Sequence, residues 1–265
     1  MPYAAHPDSS SIYYETYGEG TPILFIHPPA MGHVTFKRQR PLAEQFQIIT
    51  LDLRGNGRSD NKASKITMSL IVEDIVAVVK EIGVDKVVVC GYSNGGSIAQ
   101  EFALSYPDRV LGVILCGGFS EVNSFLLENE FRLGIYAAQF KLMKLMAFAL
   151  SSAHSRSKLF QLELDDYVKK TDPEVLRHMY NEGLHYKSTD RLHELTVPLL
   201  LVYGANDHYV HHYQNIFRKK VKTDVDIVYI SGAKHQIPTK YSLELNKIIS
   251  NFIKRKVESK VGGRG

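Results

Sequence analysis

Along this chain, short unbroken apolar runs alternate with longer stretches in which apolar residues recur every three or four positions. An unbroken apolar run reads as a strand buried on both faces, and the three-to-four spacing reads as an amphipathic helix. Residues 11–17 alternate and are rich in Tyr and Ile, predicting an edge strand; a turn at 18–22 leads into a buried strand at 23–26, and another strand spans 47–53. Residues 67–82 predict a helix, and 86–90 and 110–116 predict two more buried strands. Between them, 97–106 has helical spacing that Pro107 ends. Strands alternating with helices predict an α/β fold: a mainly parallel sheet, helices on both faces and right-handed crossovers.

From residue 119 to about 191 the strand rhythm stops, and helical patterns rich in Leu, Phe, Met and Ala replace it. Strand rhythm resumes at 198–203; a helix at 209–220, a strand at 226–230 and a final helix at 239–256 follow. The expected organisation is a core of residues 1–118 and 192–256, an inserted helical cap of residues 119–191, and a flexible C-terminal tail of residues 257–265.

With 265 residues and 44% hydrophobic content, the chain is long enough for one large core with an insertion. The net charge of +4 is mild, and much of the excess sits near the C-terminus. No basic stripe interleaved with aromatics points to a nucleic-acid partner. The two cysteines, Cys90 and Cys116, end predicted buried strands, where a thiol behaves as a small apolar group, so no disulfide framework is expected. Residues 1–18 lack the charged and apolar regions of a secretory signal, and the best candidate for lipid contact, 145–150, is far too short to span a bilayer. A cytoplasmic setting without a membrane partner is the default expectation.

The candidate chemistry begins at residues 91–96, GYSNGG, a G-x-S-x-G turn entered from the apolar run 87–90 and left through a helix. In a nucleophile elbow the serine sits on a strained strand-to-helix turn, and its neighbours must be small enough for backbones to pass closely. Gly91, Gly95 and Gly96 meet that need, and the Asn94 N–H would stand at a helix N-terminus aimed at developing negative charge. The plain alternative for Ser93 is an ordinary Gly-Ser loop. A serine nucleophile needs a base, and the base needs a partner to fix its tautomer. Asp207 follows one predicted strand and His235 follows the next, and strand ends on one edge of a parallel sheet gather in one crevice. Asp207 has an alternative as the N-cap of the following helix, and His235 as a packed loop histidine. Glu121 is the competing acid. His208, His211 and His212 invite a metal reading, but their spacing matches no ligand signature, and solvated surface histidines are expected.

With these motifs in order, the chain resembles the small capped bacterial serine hydrolases of the α/β-hydrolase fold. The resemblance rests on FIHPPAMGH (25–33), LDLRGNGRSD (51–60), GYSNGG (91–96), YGANDHYV (203–210) and GAKHQIP (232–238) and covers nearly the whole chain. It implies a Ser93, His235 and Asp207 triad acting through an acyl-enzyme, with no cofactor and no metal. It also implies that the loop after His27 supplies a second oxyanion donor beside the Asn94 N–H, while Asp52, Arg54 and Asp60 are structural. One departure stands out. The third position of the usual H-G-x loop is Pro29, which has no N–H to donate, so the donor role passes to Ala30. His27, Pro29 and Tyr92 on the core, with Phe131, Tyr136 and Phe140 on the cap, are expected to hold a small apolar or aromatic acyl substrate. For the apolar cap residues, core packing is the more frequent explanation than a pocket lining, and an amphipathic helix on a membrane is a third, lesser alternative. Two alternatives share the fold: a ligand sensor with little turnover, whose cap meets a protein partner, and a C–C bond hydrolase or perhydrolase.

Overall fold

The structure is a computed structural model that describes residues 2–259. Its centre is one eight-stranded sheet, made of β1 (Tyr3–Ala5), β2 (Ser11–Tyr17), β3 (Pro22–Ile26), β4 (Gln47–Leu51), β5 (Val87–Tyr92), β6 (Val110–Cys116), β7 (Leu199–Gly204) and β8 (Val225–Ile230), in the spatial order β1-β2-β4-β3-β5-β6-β7-β8. From β4 to β8 every pairing is parallel; β1 and β2 run antiparallel. The expected edge strand at 11–17 is not an edge, because β1 pairs along its outer side. Residues Val87 to Tyr92 are all buried, as an unbroken apolar run in a sheet covered on both faces requires.

Helices α1 (Met68–Ile82), α2 (Gly95–Ser105) and α7 (Tyr213–Lys220) pack one face of the sheet. The other face is covered by a 3-10 segment, His33–Glu44, and by α9 (Ser242–Phe252), which follows the short α8 (Ile237–Lys240). The 3-10 segment has no counterpart in the periodicity; it is kinked at Phe36 and carries Pro41 inside. The ends of α1 follow from its sequence: the Thr67 hydroxyl accepts from the Leu70 N–H, and Gly83 closes the helix at φ 80°.

Four helices fill the predicted insertion: α3 (Phe125–Gln139), α4 (Met143–His154), α5 (Lys158–Lys169) and α6 (Pro173–His185). α3 packs on α6 and α4 on α5. Side chains of Ser124, Ser157 and Asp172 cap three of them. The cap is fastened to the core by polar contacts, among them Asp172 N–H to Gly55 O (2.8 Å) and Met68 N–H to Glu182 Oε2 (2.8 Å).

Two expectations are corrected. The helix expected from residue 209 begins at Tyr213, after turns at 208–212, and Asp207 does not cap it but turns inward to a histidine. The flexible tail does not begin at 257: a π-helical turn, Ile253–Glu258, buries Val257, and Glu258 accepts from the Thr21 hydroxyl at 2.8 Å. The rest of that tail, 260–265, lies outside the described residues. Among the described residues no helix is long and apolar enough to cross a membrane.

Candidate active site

Ser93 stands between the end of β5 and the start of α2 with φ 52°, the left-handed conformation that a non-glycine residue rarely adopts. Crowding explains the flanking glycines. A Cβ on Gly91 would lie 2.4 Å from Gly95 O, and one on Gly95 would lie 2.3 Å from Ile26 O. The turn is pinned by Ser93 N–H to Cys116 O (2.9 Å) and Gly96 N–H to Ser93 O (2.8 Å). The Asn94 N–H donates to no acceptor among the described residues and so remains free at the N-terminus of α2.

Asp207 and His235 follow β7 and β8, which are neighbouring parallel strands. Asp207 is buried, and its Oδ2 lies 2.6 Å from His235 Nδ1. Links between the two loops, Ala205 N–H to Ile230 O (2.9 Å) and Asn206 N–H to Ala233 O (2.8 Å), hold the pair in register. Gly117, at the end of β6 with φ 60°, leaves room for it: a Cβ there would lie 2.8 Å from His235 Cε1. Burial disfavours a charged His235, but the Asp207 hydrogen bond and charge, with Glu130 adding, raise its pKa above the ordinary value.

Ser93 and His235 line one pocket, together with Pro28, Pro29, Met31, Tyr92, Asn94, Leu127, Glu130, Phe131, Leu150, His154 and Tyr180. No hydrogen bond joins the Ser93 hydroxyl to the His235 ring among the described residues, an arrangement frequent before substrate arrives. The pocket is lined by residues of both the core and the cap.

Several expected residues are placed elsewhere. The Ala30 N–H is not free for an oxyanion: it donates to the buried Asn56 Oδ1 at 2.8 Å. Pro28 and Pro29 have no N–H, and the next amide, Met31, closes onto Pro28 O at 3.3 Å, long for such a bond. His27 is fully buried behind the pocket wall; its Nε2 accepts from the Leu53 N–H (2.9 Å), so Nδ1 carries the proton and donates to Pro28 O (2.7 Å). Burial pushes its pKa down to about 4 and keeps it neutral. Tyr136 and Phe140 are exposed on the outside of the cap, stacked on each other rather than on a ligand site. Pro29, Tyr92 and Phe131 do line the pocket.

The competing assignments also separate. Glu121 faces Lys187 (3.6 Å) and Asn123 (3.3 Å), not His235. His211 contacts Gly204 O, and His212 Nε2 lies 3.0 Å from Asn123 Oδ1. No group of three or more His, Cys, Asp or Glu is placed to hold a metal ion among the described residues.

Two pocket residues carried no sequence signal. His154, on α4, has Nδ1 2.9 Å from Leu150 O and Nε2 3.0 Å from the Tyr92 hydroxyl, which ties the cap to the residue before Ser93. Burial lowers its pKa to about 4, so it is neutral: Nδ1 donates to the carbonyl and Nε2 accepts from the phenol. Glu130, on α3, lines the pocket while its side chain keeps contact with solvent. Its crowded surroundings raise its pKa, and His235 opposes that shift.

The comparisons agree with this architecture. A solved structure of an enol-lactonase from Burkholderia xenovorans superposes with a TM-score of 0.85 at 18% identity, covering 96% of this chain and 100% of that one, a likeness of fold. A pimeloyl-acyl-carrier-protein methyl ester esterase from Nitrosospira multiformis is 27% identical, covering 92% of this chain and 97% of that one. A 2-hydroxy-6-oxononadienedioate/2-hydroxy-6-oxononatrienedioate hydrolase from Klebsiella pneumoniae is 29% identical, with 75% of each chain covered. The model of the alpha/beta hydrolase fold family matches residues 21–167, and the chain belongs to that family as one of its hydrolase-fold enzymes.

Proposed function

We propose that this enzyme is a serine hydrolase that cleaves a small apolar or aromatic ester, or a related acyl compound, through an acyl-enzyme. The observation that carries the reading is the buried Asp207 carboxylate 2.6 Å from His235 Nδ1, in the same pocket as a serine held at φ 52°. His235 Nε2 takes the proton as the Ser93 hydroxyl attacks the carbonyl carbon, and Asp207 stabilises the resulting imidazolium. The Asn94 N–H holds the oxyanion, with Met31 as the remaining amide on the pocket wall. The imidazolium returns its proton to the leaving alcohol, and water activated by the same histidine releases the acid and restores the hydroxyl.

The occupied Ala30 amide favours a second reading, a ligand-holding protein with slow turnover, because deleting one oxyanion donor costs about 3 kcal/mol of transition-state stabilisation. One experiment addresses both: fluorophosphonate labelling alongside turnover of p-nitrophenyl esters of rising chain length. The hydrolase reading expects labelling and turnover, both abolished in Ser93→Ala. Labelling without turnover on any ester supports the slow-turnover reading, and undiminished labelling in Ser93→Ala overturns both.

A further inference from the structure

Of the 14 large hydrophobic side chains exposed among the described residues, 10 lie in the cap. Single exposed leucines are ordinary, but a continuous set of them marks an interaction surface. These follow helix geometry. Leu133 and Tyr136 lead along the outward side of α3 to Phe140 at its end, and Leu142, Leu145 and Phe148 continue through the turn onto α4. Leu133, Phe140, Leu145 and Phe148 are each between 64% and 69% exposed. The inward sides of the same helices bury Phe131, Met143 and Met146, so the packing of this chain makes no use of the outward apolar row.

Charge is distributed in the same way. Between Glu130 and Glu163 the sequence has no acidic residue, while Arg132, Lys141, Lys144, Arg156 and Lys158 all fall in that interval. Arg132 is bridged by Glu128 at 2.7 Å, and Arg156 lies over the Tyr241 ring. Lys141 and Lys144 have no carboxylate within ion-pair distance among the described residues, and both are exposed beside Phe140, Leu142 and Leu145. Glu174, whose charge Lys141 does feel, is already bridged by Arg177.

We propose that the α3–α4 corner of the cap docks on an anionic lipid surface, with Phe140, Leu142, Leu145 and Phe148 entering the headgroup boundary and Lys141 and Lys144 meeting lipid phosphates. A second copy of the chain fits this surface less well. A two-fold interface is built from the same patch on both copies, so it would gather the lysines of both copies with no unbridged acid in the patch to offset them. The inward sides of α3 and α4 supply Leu127, Phe131, Leu150 and His154 to the pocket. Docking therefore sets the pocket beside a reservoir of apolar esters; that consequence rests on the hydrolase reading, whereas the docking itself does not.

The test is flotation of the full chain with vesicles of phosphatidylcholine alone and of phosphatidylcholine mixed with phosphatidylglycerol. Binding to the mixed vesicles only, released by salt, is expected. Lys141→Glu/Lys144→Glu should weaken partitioning by at least about tenfold, and Leu145→Ser/Phe148→Ser by a similar factor. Both variants should keep the wild-type thermal melt and Ser93 labelling, which separates lost docking from misfolding. Equal partitioning to both vesicle types, or no flotation, overturns the proposal. So does a concentration-dependent dimer in light scattering that Leu145→Ser/Phe148→Ser dissolves. Failure of the hydrolase reading would appear differently, as absent Ser93 labelling with flotation intact.

Discussion

Gly117→Ala adds one methyl group at a position outside the pocket lining and away from Ser93, and it should be among the most damaging small changes in the protein. At φ 60° an alanine is strained by about 1–2 kcal/mol. The added Cβ would also lie 2.8 Å from His235 Cε1, about 0.6 Å inside ordinary contact, which begins at 3.4 Å. Asp207 cannot follow the ring outward, because its side chain is buried and its own backbone is fixed by Asp207 N–H to Gly204 O at 3.0 Å. The imidazole must therefore shift relative to both its partner and Ser93, and a displacement of that size costs on the order of 10–100-fold in rate. Gly83→Ala is the matched control: it carries the same strain at φ 80°, with nothing within 4 Å of the new methyl and no link to the pocket. Urea denaturation should show both variants losing the stability that φ strain costs, with a further loss in Gly117→Ala from its close contact, while kcat/KM on a short p-nitrophenyl ester falls only in Gly117→Ala. Equal activity in the two variants would refute the argument that this glycine exists to make room for the histidine.

Two further outcomes follow from charge. If neutral His235 is the base, kcat/KM rises with pH through its free-enzyme pKa, which lies above 6.5; Asp207→Asn should lower the plateau by roughly 10³–10⁴-fold and move the midpoint downward, and an unmoved midpoint in the residual activity would show that Asp207 does not set that pKa. His33 is buried between Asp52 (2.8 Å) and Glu15 (3.4 Å); burial opposes its charge, but the two carboxylates raise its pKa to about 9. A group raised on folding stabilises fully below its unfolded pKa, near 6.5, and that contribution fades as pH climbs through 9, so the unfolding free energy from urea titrations should fall across this window by on the order of 1–3 kcal/mol in the wild type and far less in His33→Phe.

The sheet and the three candidate catalytic side chains were legible in the chain itself. Short unbroken apolar runs such as 87–90, bounded by turn residues, fit strands covered on both faces, and residues that follow parallel strands collect at one edge whatever the details of packing. Gly91 and Gly95 announced a crowded turn because no other residue lacks a Cβ. What pattern could not reach were choices between equivalent partners. The Ala30 amide is the first N–H after two prolines, but an amide serves whichever acceptor is nearest in space, and Asn56, 26 residues on, takes it. Tyr136 and Phe140 read as pocket residues because periodicity shows that a helix has an apolar side, not which neighbour that side meets; in the cap, part of it meets solvent. Tyr92 and His154, 62 residues apart, are joined only when the cap closes over the elbow. Period and composition determined the elements and their order, because these follow from each residue's own shape and solubility. Tertiary structure alone decided which polar atoms are already satisfied and which remain free to do chemistry, because that depends on contacts between segments with no fixed spacing along the chain.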